Sequence, residues 1–118
     1  MQQQSSIKYT VAAFIWAIVV LLLLVLPVKS DVVPGGLSIP GLDKMVHLVL
    51  FAILTLLVAK ALEEKRIQYK VWQLFVFISF YGAVTELIQL YLEGRHGDVY
   101  DFMADAVGVL LALLILKR

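Results

Sequence analysis

The chain has 118 residues, 62% of them hydrophobic, no cysteine and a formal net charge of +1. Soluble domains are about 45–50% apolar, so this composition points to lipid as the solvent, and the mean hydropathy of +0.93 agrees. Near-neutrality argues against a nucleic-acid partner, and the missing thiols exclude disulfides, thiolate metal sites and a cysteine nucleophile. The length fits a single membrane domain over residues 1–118, with no separate soluble unit.

Four apolar runs follow in order, over residues 9–26, 45–62, 71–92 and 102–116. A transmembrane helix needs about 20 residues, range about 17–25. The first three reach that length comfortably and the fourth is short but continuous. None carries the polar stripe of a soluble surface helix. The expected fold class is therefore all-α, a polytopic membrane protein built as a four-helix bundle. The first run, preceded by Lys8 and followed by Val28-Lys29-Ser30, also resembles a secretory signal. Its apolar core exceeds the usual ~7–15 residues of a signal, so a retained helix is expected. Residues 28–42 hold Pro34-Gly35-Gly36 and Pro40-Gly41, turn signals that end the helix there. That connection is long enough to fold back over the mouth of the bundle.

Orientation follows from the positive-inside rule. With four spans, Lys8, Lys60, Lys65, Arg66, Lys70, Lys117 and Arg118 share one side, against Lys29, Lys44 and Arg95 on the other. Both termini are expected in the cytoplasm, in a cytoplasmic (inner) membrane.

The opposite side collects the polar residues. Asp43 and His47 are spaced i, i+4 on the second span. Gly82, Glu86 and Gln89 follow i, i+4, i+7 on the third. Asp101, Asp105, Gly108 and Ala112 follow i, i+4, i+7, i+11 on the fourth. Such spacings lie on one helical face, and small residues let backbones approach closely in lipid. The simplest packing turns the three stripes toward one another. A charge near mid-helix costs about 2.5–3.5 kcal/mol on insertion scales, a cost tolerated where the group is paired, faces the bundle interior or performs a function. Plainer roles exist for each residue. Asp43 and Asp101 suit helix N-caps, Lys44 can snorkel, and Glu86 with Arg95 can close a helix end as an ion pair. Their coincidence at one membrane face favours a pocket.

The ordered set Asp43-Lys44-x-x-His47-x-x-x-Phe51, Thr85-Glu86-x-x-Gln89, Gly94-Arg95 and Asp101-x-x-x-Asp105-x-x-Gly108 resembles the VanZ-like family, over about residues 42–114. That family comprises small bacterial membrane proteins named for a protein associated with low-level teicoplanin (glycopeptide antibiotic) resistance. The resemblance implies a membrane protein with a link to antibiotic susceptibility and no particular reaction. One departure is Asp105, where the family pattern commonly has Asn.

Among chemistries, a serine triad is disfavoured because Ser79 lies two turns deeper than Glu86 and Ser38 lies in a loop. Two histidines and no ligand spacing on one helix argue against a transition-metal site. Carboxylates bridging a phosphate through Mg2+ or Ca2+ fit better, although no cofactor is required. His47, Glu86 and Asp105 are the candidates for proton transfer. Asp43, Lys44, Gln89, Arg95 and Asp101 are the candidates for binding, with Arg95 suited to bidentate phosphate contact. The expected ligand is an anionic, lipid-linked envelope molecule such as a cell-wall precursor. The competing readings are a proton-coupled transporter using Glu86 and Asp105, and an assembly protein whose polar cluster only joins helices. An apolar exterior follows from lipid contact and leaves the oligomeric state open.

Overall fold

The computed structural model describes residues 7–25, 42–91 and 99–117, and all of its regular structure is helical. The helices are α1 (Lys8–Val25), α2 (Leu42–Glu64), α3 (Val71–Leu90) and α4 (Val99–Lys117). The connection rich in proline and glycine before α2, and Arg95 with its neighbours, lie outside the described residues.

Among the described residues, three helices are long and apolar enough to cross a bilayer: Lys44–Glu64, Val71–Leu90 and Val99–Leu116. The run Lys8–Leu24 is apolar but shorter. The fourth run, expected to be short, is long enough once α4 is counted from its start. α4 begins at Val99, three residues before its apolar run, and takes Asp101 into its first turn. A carboxylate there is favoured by the exposed N–H groups and dipole of the helix start. Asp101 is thus inside the helix rather than its N-cap, and Asp43, the second residue of α2, is likewise helical.

Going round the bundle the order is α1, α2, α4, α3, with α2 and α4 parallel and in the most extensive contact. At Gly108 the two backbones lie against each other. A Cβ built there would lie 2.2 Å from the backbone oxygen of Leu48, so only glycine allows this crossing. Burial follows the logic of a membrane bundle. Phe51, Leu54, Val109 and Leu113 fill the centre, while large apolar residues such as Phe14, Phe77 and Leu114 point outward at 63–68% exposure. In water that exterior would cost heavily; against lipid it is the expected surface.

Polar side chains also tie α1 to its neighbours. The Trp16 indole donates to the Leu50 carbonyl at 3.0 Å, and the Tyr81 hydroxyl donates to the Ala17 carbonyl at 2.5 Å. The Gln89 amide donates to the carbonyl of Leu24. α1 is therefore a built-in member of the bundle.

α2 ends in a reciprocal C-terminal turn. Arg66 adopts the left-handed conformation (φ 59°), with Arg66 N–H on Glu63 O and Ile67 N–H on Leu62 O. This is the Schellman pattern with arginine in the position usually held by glycine.

Candidate functional site

The N-terminal ends of α2 and α4 and the C-terminal end of α3 meet at one end of the bundle, where the three polar stripes converge. Because α2 and α4 run parallel and cross at Gly108, His47, one residue before Leu48, is brought opposite Asp105. His47 Nδ1 and Asp105 Oδ1 lie 2.7 Å apart in a buried hydrogen bond. The other ring nitrogen, Nε2, lies 3.6 Å from Asp101 Oδ2. Lys44 Nζ, one turn back on α2, closes on Asp101 Oδ1 at 3.1 Å.

The result is a graded line of charge running from rim to interior. The Lys44 side chain is 34% exposed, His47 is 3% exposed and Asp105 is completely buried. The outer pair, its lysine partly open to the surroundings, contributes on the order of 1 kcal/mol or less. The inner pair lies where removing one member costs about 3–5 kcal/mol, since the other is left as a buried charge without its counterpart.

α3 supplies the third wall. Gly82 sits against Asp105: a Cβ there would approach Asp105 Oδ2 to 3.0 Å and the Phe51 ring to 3.3 Å. Thr85 is buried and turns its hydroxyl onto the Gly82 carbonyl at 2.7 Å. Glu86, one turn beyond Gly82, is also buried. His47, Glu86 and Asp105 each present one donor atom within 4.8 Å of the other two. No ligand spacing on a single helix announces this group, because each member comes from a different helix.

Of the residues singled out from the sequence, Lys44, His47, Glu86, Asp101 and Asp105 are thus gathered at one place. Gln89 belongs to the same stripe but its amide is spent on α1. The side chain of Asp43 and the whole of Arg95 fall outside the described residues. Sequence reasoning gave Thr85 no role of its own and passed over Trp16 and Tyr81. The signal for all three is the same: a hydrogen-bonding group within an apolar run has to find an acceptor inside the bundle.

A second concavity lies in the other half of the bundle. It is a groove of about 540 Å³ between α1, α2 and α3, lined by Ala13, Ala17, Val58, Ala61, Phe77 and Tyr81 among others, with walls that are almost entirely apolar. It does not include the charged line.

Similarity to known proteins can be set beside this geometry. An uncharacterised protein of the fission yeast Schizosaccharomyces pombe is 31% identical over 80 residues, which cover 68% of this chain and 49% of the relative. The aligned segment thus spans about half of that relative. No solved structure matches the chain. The VanZ/LLP1 family model matches residues 2–118, nearly end to end, and the chain belongs to that family.

Proposed function

We propose that this VanZ/LLP1 membrane protein uses the charged line at one end of its bundle to engage the head of an anionic, lipid-linked envelope molecule. Lys44 makes the first contact and His47 carries protons between the flanking carboxylates. In this reading the site faces away from the cytoplasm, in a bacterial cytoplasmic membrane with both chain ends inside. An effect on glycopeptide susceptibility would follow from altered handling of such a molecule.

The observation that carries the reading is the gradient itself. An ammonium at the rim is joined through Asp101 to an imidazole and then to a fully buried carboxylate. Ionisable groups placed inside a membrane bundle mark ligand or proton routes more often than they mark simple glue. A rim lysine can exchange Asp101 for a phosphate without leaving an uncompensated charge behind, because Asp101 retains His47.

Transport is less well supported. A proton-coupled carrier needs a polar route through both halves of the membrane, whereas the concavity in the other half is apolar. The assembly reading draws on a specific observation, the tight contacts of Gly82 and Gly108 around the same charges. The two separate by ligand response.

Delipidated protein in gentle detergent is challenged with a polyprenyl phosphate, with phosphatidylcholine and with inorganic phosphate, and its melting is followed. The proposal expects stabilisation by the polyprenyl phosphate above the other two, reduced about tenfold in apparent affinity by Lys44→Ala, the loss of one charge-assisted contact. Equal melting with all three additives rejects it. A response to inorganic phosphate alone rejects the lipid-linked part.

A further inference from the structure

We infer that His47, Glu86 and Asp105 form a binding site for a divalent first-row metal ion, Zn2+ being the ion that fits best. The inference rests on the reading above, that this cluster is a working site rather than helix glue. It makes His47 a ligand while the ion is bound and a proton carrier only without it.

Three observations carry it. The donor atoms of the three side chains lie within 4.8 Å of one another and all three residues are buried. Ligands at about 2.0–2.2 Å from a common ion can be about 4.4 Å apart at most, so a modest side-chain rotation closes the set. Asp105 holds His47 with Oδ1, while its Oδ2 is buried and has no hydrogen-bond partner among the described residues. That oxygen lies on the side of Gly82, one turn before Glu86 on α3. A fully buried carboxylate oxygen without a donor costs several kcal/mol in lipid, and a cation between it and Glu86 removes that cost.

Charge also favours a divalent ion. One imidazole and two carboxylates around a 2+ ion sum to zero, the cheapest state for a group buried within a bilayer. Donor chemistry then selects the metal. An imidazole nitrogen disfavours Mg2+ and Ca2+, which take oxygen. The absence of any sulfur donor among the three disfavours soft ions. Three protein ligands leave a coordination position open, and an anionic head group can fill it.

The test uses the full chain in gentle detergent, stripped with a chelator and titrated with Co2+ as an optical probe and then with Zn2+. The inference expects one equivalent of Co2+ with visible d–d absorption typical of low coordination, displaced by Zn2+ and not by Mg2+. Asp105→Asn and Glu86→Gln, checked for helicity by circular dichroism, should each weaken Zn2+ binding at least tenfold. A Co2+ spectrum unchanged from the aqueous ion on wild-type protein overturns the inference whether or not the variants fold. So does equal Zn2+ binding by wild type and folded variants. Metal binding is read without added lipid, and lipid binding is read both with chelator and with Zn2+ present. Lipid binding without metal binding therefore rejects the metal site alone, whereas metal binding without lipid binding rejects the head-group reading alone.

Discussion

Gly108→Ala tests how the α2–α4 crossing builds the site. A Cβ at Gly108 would stand 2.2 Å from Leu48 O, 3.0 Å from Leu48 C and 3.1 Å from Leu48 Cα. All three atoms are backbone, so no side chain can swing aside. Reaching an ordinary contact of 3.4 Å requires the helices to separate by about 1.2 Å. His47 precedes Leu48 and Asp105 lies one turn before Gly108, so their 2.7 Å hydrogen bond stretches beyond ~3.5 Å, where it no longer counts as one. Overpacking costs about 1–3 kcal/mol, and parting a buried charged pair approaches about 3–5 kcal/mol. The combined loss should therefore be at least about 3 kcal/mol. It is read from reversible unfolding in mixed micelles, with His47 imidazole resonances as the local probe. Gly82→Ala is the control: its Cβ would meet side-chain atoms of Asp105 and Phe51 at 3.0–3.3 Å, which can yield, so it should cost about 1 kcal/mol or less. Equal stability of wild type and Gly108→Ala, with unshifted His47 resonances, would refute the crossing.

Three further outcomes follow from the same structure. Arg66→Gly should raise stability by up to about 1 kcal/mol in the same unfolding assay, because glycine adopts φ 59° without the Cβ penalty; a loss would contradict the C-terminal turn of α2. Asp105→Leu should cost about 3–5 kcal/mol, and the double change with His47→Leu should recover part of it, giving a coupling of about 1–3 kcal/mol; strict additivity would show that the pair does not interact. Because the chain lacks cysteine, single substitutions report sidedness. Val99→Cys should react with a membrane-impermeant maleimide on intact cells and Gln68→Cys should not, and the opposite pattern would invert the topology.

Helix number and the polar faces were legible from the residues because lipid makes the rules few: apolar runs span, and ionisable groups turn inward. Asp101, Asp105, Gly108 and Ala112 are all buried on one face of α4, as their spacing requires. The pairing was less legible. That His47 Nδ1 takes Asp105 rather than Asp101 depends on how α2 slides along α4, and this is set by Leu48 against Gly108, a backbone contact with no side-chain signature. Gln89 looked like a site residue because it shares a stripe with Glu86. Yet residues i and i+3 on a helix differ by about 60° in direction at 3.6 residues per turn, enough to turn one to α1 and the other to the cluster. The start of α4 was set three residues late because Asp101 suits an N-cap until the helix dipole is considered.

The central claim, that the charged line receives the head of an anionic lipid-linked molecule, is tested most directly by native mass spectrometry of protein taken from its own membrane in gentle detergent. Wild type is compared with Lys44→Ala and His47→Gln. The account predicts a defined lipid-sized adduct on wild type that both folded variants lack. Well-folded wild type with no adduct, or the same adduct on all three proteins, would contradict it.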